Sequence, residues 1–98
     1  MDVLHKIEVL KETYDQSELE QILAKLLDVT LGDYRKRAAR YEHELKEFEN
    51  RYGMDSASFY RQFEAGELGD AMDYFEWAGL YELLENLEQK INRLESAL

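Results

Sequence analysis

The sequence predicts an all-α chain, and three observations carry that reading. It contains no proline, the residue that breaks helix interiors. Helix formers such as Leu, Glu, Ala, Lys and Arg dominate, and β-branched residues are few. Two long stretches place apolar residues at alternating steps of three and four, the spacing of a helix seam. The architecture they predict is an antiparallel helical hairpin, coiled-coil-like, with a short helix at its tip and an N-terminal helix folded back. All of residues 1–98 form one helical domain in this reading.

In residues 1–14, Val3, Ile7, Leu10 and Tyr14 keep helical steps of four, three and four. Ile7 and Val9 around Glu8 also suit a strand. Helix is the preferred reading, turning back at Asp15-Gln16.

A long helix is expected over residues 17–52. Ser17-Glu18-Leu19-Glu20 has the form of a capping box, a serine accepting from the third helical N–H and a glutamate reaching back. Leu19, Ile22, Leu23, Leu26 and Leu27 then share one face. The stripe continues through Leu31, Tyr34, Ala38, Tyr41, Leu45, Phe48 and Tyr52 as a heptad seam. Gly32 inside this run costs about 1 kcal/mol relative to alanine and with Asp33 could mark a break and a fresh N-cap, but the heptad phase passes through it unchanged, so a continuous or slightly kinked helix is the preferred reading. Gly53 supplies the left-handed C-terminal cap, with Met54 placed for the accompanying apolar contact.

Residues 53–70 form the tip. Asp55 or Ser56 caps a short helix in which Phe59, Tyr60 and Phe63 share a face, and Gly66 stops it. Asp70 is expected to cap the last helix, residues 71–98, with Asp73 in its first turn, where the positive helix end favours an acid. Its seam runs Trp77, Leu80, Leu84, Leu87, Ile91, Leu94 and Leu98. The seams from Tyr34 to Tyr52 and from Trp77 to Leu98 span about 28 and 33 Å of helix, so they zip together. Pairing on residues 34–52 makes the last helix run out near Tyr34. The apolar face carried by Leu19, Ile22, Leu23, Leu26 and Leu27 is then left to the N-terminal helix, a partner or a second copy.

Composition bounds the function. The chain has no cysteine, so it offers no disulfide or thiol nucleophile, and a reducing compartment is expected. No apolar run approaches the roughly 20 residues of a membrane span, and Met1–Asp15 has charges where a signal peptide has its apolar core. A cytoplasmic protein without membrane contact is expected. Net charge is -10, with seven Lys/Arg against eight Asp/Glu in residues 1–40 and five against fourteen in residues 41–98. Such a surface repels nucleic acid and attracts basic proteins.

Candidate chemistry is sparse. His5 and His43 are isolated and outside any HExxH pattern, and His43 with Glu47 reads as a solvated pair. Gly66-Glu67-Leu68-Gly69 lacks the preceding strand of a phosphate loop, and its acids repel phosphate. Glu64, Glu67, Asp70, Asp73 and Glu76 recur every three residues, which invites a divalent-metal reading, but the EF-hand spacing is absent. A carboxylate pair for acid–base catalysis needs a concave pocket, which a thin hairpin hardly offers. Arg35-Lys36-Arg37 with Arg40 is the basic cluster. No aromatic platform interleaves it, so solvation or internal pairing is expected, and nucleic-acid contact only within a complex.

Nine of the twelve aromatics lie between Phe48 and Tyr81. Phe48, Tyr52, Phe59, Phe63 and Trp77 are expected to form a mini-core, leaving Tyr60, Tyr74 and Phe75 at the surface. Exposed rings among acids have the character of a binding hot spot for a basic partner.

The segment LKEFENRYGMDSASFYRQFEAGELGDAMDYFEW, Leu45–Trp77, resembles a group of small bacterial and archaeal helical proteins. Their shared pattern is YGM, two aromatics, GELGD, an aromatic pair and EW; some resemble type II antitoxins. The matching positions are Tyr52, Gly53, Met54, Phe59, Phe63, Gly66, Glu67, Leu68, Gly69, Asp70, Phe75, Glu76 and Trp77, within about a third of the chain. The resemblance implies a non-catalytic protein that binds a partner, in the antitoxin case a toxin, often a ribonuclease. Many antitoxins carry a separate DNA-binding module before such a segment; none precedes it here, which argues against operator binding.

The expectation is a non-enzymatic, cofactor-free homodimer that binds a basic protein. Tyr60, Glu64, Glu67, Asp70, Asp73, Tyr74, Phe75 and Glu76 form the binding surface, with acids steering and rings anchoring. A self-associating scaffold and a metal- or nucleic-acid-associated accessory protein are the rival readings.

Overall fold

The computed structural model describes residues 2–98. Among them four helices follow one another and no strand occurs: α1 (Val3–Thr13), α2 (Gln16–Tyr52), α3 (Ser56–Glu64) and α4 (Met72–Glu95). The molecule measures 57 × 25 × 19 Å, and α2 alone, at 1.5 Å per residue, accounts for about 55 Å of it. Polar links at both ends fix α4 antiparallel to α2. Arg51 reaches Asp73 at 2.8 Å beside the tip, and Arg35 reaches Glu95 at 3.0 Å at the far end. The predicted hairpin is therefore the architecture observed.

The heptad seams form the contact. Toward the open end, Leu31, Ala38, Leu87 and Ile91 are buried, with Tyr34, Tyr41, Leu84 and Leu94 packed around them. At the tip, Leu45, Phe48, Phe59, Trp77 and Ala78 form a second core, which α3 closes. α2 passes unbroken through Gly32, as the unchanged phase of the seam requires.

The helix ends refine the sequence reading. α2 starts one residue earlier than expected, and its capping box is Asp15 with Glu18 rather than Ser17 with Glu20. Asp15 accepts from the Glu18 N–H at 2.8 Å, and Glu18 accepts from the Asp15 N–H at 3.4 Å. Both pairs have the spacing of a box. The aspartate adds a full negative charge at the positive end of the helix. At the other end Gly53 takes the left-handed conformation, φ 65°, and its N–H donates to Glu49 O at 2.8 Å.

Asp70 does not cap α4. Ala71 is the N-cap residue, with no side-chain cap bond, and a tight turn from Tyr74 N–H to Ala71 O, 3.0 Å, opens the helix. The acid in the first turn is Asp73, as expected. α4 also closes at Glu95 rather than Leu98. Arg35 pairs with Glu95 there, and Leu98 lies past the end of the seam, mostly exposed.

The N-terminal segment is a helix, capped by Asp2, which accepts from the His5 N–H at 2.8 Å. Every residue of α1 is exposed. On the facing part of α2, Leu19 and Leu27 are half-buried, and Ile22, Leu23 and Leu26 stay exposed. The apolar face of residues 19–31 is thus only partly covered within one chain.

Candidate functional site

The cap at the hairpin tip is built on Trp77. Its ring stacks on Phe59, nearly parallel with ring centres 3.8 Å apart, and lies 5.7 Å from the ring of Phe48 on α2. Trp77 and Phe59 have no exposed surface, and burying side chains of this size contributes on the order of 2–3 kcal/mol each. α3 is held to this core from both ends. At its start Asp55 accepts from the Ser58 N–H at 2.8 Å. At its finish Gly66, φ 72°, allows a Schellman closure in which Gly66 N–H donates to Phe63 O and Glu67 N–H to Gln62 O. The two glycines flanking Glu67 and Leu68 therefore belong to a bend, and the carboxylates around them point outward from it as exposed residues.

One buried polar chain escaped the sequence reading. Trp77 Nε1 donates to Ser56 Oγ at 2.9 Å, and Ser56 donates through its hydroxyl and its N–H to Glu49 Oε2 at 2.8 and 2.9 Å. The available signal was positional. Ser56 lies three residues before Phe59, on the same helix face, and so had to enter the core.

The eight predicted binding residues fall into two groups. Asp73, Tyr60 and Tyr74 are engaged internally. Asp73 accepts from Tyr52 Oη at 2.6 Å and from Arg51 at 2.8 Å. These two donors, the tyrosine first, hold its carboxyl below the ordinary aspartate range, and Asp73 in turn pushes the Tyr52 phenol up. Tyr60 is half-buried against Tyr81, with ring centres 4.7 Å apart, and donates to Glu82 at 2.5 Å. That bond, with Glu64 nearby, raises its phenol pKa well above the usual value. Tyr74 is half-buried between Tyr52 and Phe59. The expectation that Tyr60 and Tyr74 stand at the surface is corrected, because the cap is narrow enough for each ring to find a neighbouring ring. Tyr52 moves the opposite way. Expected in the mini-core, it stays 39% exposed at the edge of the Trp77 stack.

Phe75, Glu64, Glu67, Asp70 and Glu76 form the second group, and all are exposed. Phe75 is 53% exposed, touching Phe63 edge-on at 5.5 Å. Met72, one helical turn before it and unmarked in the sequence reading, is 73% exposed. By i, i+3 spacing they share a face of α4, so the cap exposes two apolar side chains together with the carboxylates of Glu64, Glu67, Asp70 and Glu76. Beside it, a shallow groove between α2 and α4 is lined by Glu44, Glu47, Phe48, Arg51, Glu76 and Leu80.

Elsewhere the chemistry is structural. Arg35 pairs with Glu95, and Arg37 and Arg40 lie over the Tyr34 and Tyr41 rings at 5.6 and 5.8 Å. Three cations of the basic cluster are thus engaged within the chain. His43 and Glu47 form the expected exposed pair at 3.3 Å. Among the described residues, no three His, Asp or Glu side chains converge as metal ligands do, so the acidic ladder does not gather into a site. No helix among them is long and apolar enough to cross a membrane. No protein-family model, curated protein or solved structure matches the chain.

Proposed function

We propose that the cap is the docking surface of a non-enzymatic protein that holds a basic protein partner. The observation that carries this reading is the pairing of exposed Phe75 and Met72 with the exposed carboxylates of Glu64, Glu67, Asp70 and Glu76. These lie in the half of the chain that bears nine of the ten net negative charges. Carboxylates at this density accelerate encounter with a cationic surface, and the apolar pair supplies contact area that water leaves on docking. Binding rather than acid–base catalysis is the role that fits exposed carboxylates, since a catalytic carboxyl needs an enclosed site to raise its pKa. Neutralisation of a basic toxin, which the YGM…GELGD…EW resemblance implies, is the narrower form of the same proposal.

The test is affinity capture from an extract of the native host with the wild type and with Phe75→Ala. The expected result is a basic protein that is recovered by the wild type, released by raised salt and lost with Phe75→Ala. Recovery of an acidic partner, or of a partner indifferent to Phe75→Ala, overturns the proposal.

A further inference from the structure

Ten of the fifteen large apolar residues exposed among the described residues lie between Val3 and Val29. They cluster at the end of the molecule opposite the cap, where α4 has already stopped beside Arg35. On α1 the outstanding ones are Leu4, Ile7 and Leu10. On α2, Ile22, Leu26 and Val29 form a stripe at i, i+4 and i+7. We infer that this corner is where two copies of the chain meet, each laying α1 and the first half of α2 on those of the other about a two-fold axis.

Three observations select a second copy over another occupant. The first is size. Ten large side chains, each between 36 and 70% exposed, amount to on the order of 800 Å² of surface, the share one partner contributes to a stable interface. That is more than a monomer ordinarily leaves open in one place.

The second is charge. Residues 3–29 carry three Lys against six Asp/Glu, a net charge of -3, whereas residues 41–98 carry -9. Two identical chains therefore meet with less repulsion through the first than through the second.

The third is the state of α1. It has eleven residues, all exposed, and a helix of that length is marginal in water without a face to pack on. A two-fold contact is self-complementary. It brings an α1 and an α2 stripe to each copy at once and closes a four-helix layer at the junction. The acidic caps then face outward at the two far ends.

This interface is independent of what the cap binds. It is tested on the full chain by sedimentation equilibrium over a range of concentrations, with Leu26→Glu, Ile22→Glu and Phe75→Glu alongside. Leu26 and Ile22 are 60 and 43% exposed, so the variants keep their fold, and emission from the single Trp77 reports that the tip core is intact. The wild type is expected at about twice 11.6 kDa. Leu26→Glu and Ile22→Glu each weaken the dimer by about tenfold or more, and Phe75→Glu leaves it unchanged. A monomer at every concentration, a stoichiometry other than two, or a dimer indifferent to both α2 variants overturns the inference. So does a dimer that only Phe75→Glu dissolves. Capture of a basic protein by the monomeric Leu26→Glu variant separates this interface from the function of the cap.

Discussion

Trp77 Nε1 donates to Ser56 Oγ at 2.9 Å inside the tip core, and the Ser56 hydroxyl in turn donates a hydrogen bond to Glu49 Oε2. Ser56 is the polar residue buried in that core. It therefore joins three helices, α2 through Glu49, α3 through itself and α4 through Trp77. Ser56→Ala leaves the indole N–H buried without an acceptor and takes a hydroxyl donor from Glu49. A buried donor left unpaired costs about 1–3 kcal/mol. Urea denaturation followed by Trp77 fluorescence is expected to show a loss in that range. A loss below about 0.5 kcal/mol, the size of an ordinary surface change, means the relay adds nothing to the stacking of Trp77 on Phe59.

The glycine inside α2 and the glycine that caps its C-terminus should respond to alanine in opposite directions. Gly32 lies inside the helix, and a Cβ added there meets no atom within 4 Å. Gly32→Ala lowers the entropy of the unfolded chain and is expected to stabilise by about 0.5–1 kcal/mol. Gly53 has equal space but a backbone at φ 65°. Gly53→Ala strains the helix end and is expected to cost about 1 kcal/mol. Thermal melts of the two variants should move to opposite sides of the wild type. A fall for Gly32→Ala identifies a contact that the isolated chain does not make.

The hairpin was legible because its signal is long. Leu31 to Tyr52 and Trp77 to Leu94 each repeat the heptad step often enough that no strand or broken helix accommodates them. Helix starts were less legible. Two capping boxes overlap at Asp15–Glu20, and propensity alone does not rank them. Asp70 has the chemistry of an N-cap, but the chain stays extended through Ala71, so tertiary closure of the tip decides. The rings divide similarly. Phe59 and Trp77 announce themselves by seam position, whereas Tyr60 is drawn inward by Tyr81 and Glu82, partners more than twenty residues away. Ring-to-ring contacts of that kind depend on the width of the tip, which no periodicity encodes. Phe75 stays out because its position on α4 lies off the Trp77 seam.

Asp73 makes part of the stability of the cap depend on pH. Its carboxyl is held below the ordinary aspartate value of 3.8, first by the Tyr52 hydroxyl and then by Arg51. The native carboxylate takes a proton less readily than the unfolded one. Its contribution is therefore complete above the unfolded value and is lost as pH falls through the folded one. Tyr52 works from the other side. Its phenol is raised above 10.0 by Asp73, so the shared bond persists at neutral pH and weakens as pH rises through that raised value. Asp73→Asn is expected to lower the melting temperature near neutral pH. The gap to wild type should close below about pH 4, where unfolded aspartates are protonated. A gap that stays constant across the acid range means the Asp73 charge adds nothing to the tip.

Phe75 and Tyr74 are neighbours in sequence and should separate binding from stability. Tyr74 packs against Tyr52 and Phe59 at 5.5 and 5.8 Å, so Tyr74→Ala removes a ring from the core and is expected to cost about 2–4 kcal/mol. Phe75 touches Phe63 by one edge and is 53% exposed. An edge-on pair contributes about 0.5–1.5 kcal/mol, and exposure places Phe75→Ala at the low end. Chemical denaturation should therefore rank Tyr74→Ala well below Phe75→Ala, while capture of a basic partner falls with Phe75→Ala even though the fold is retained. Equal destabilisation by the two variants makes Phe75 a core residue, and the cap then lacks the free ring on which docking depends.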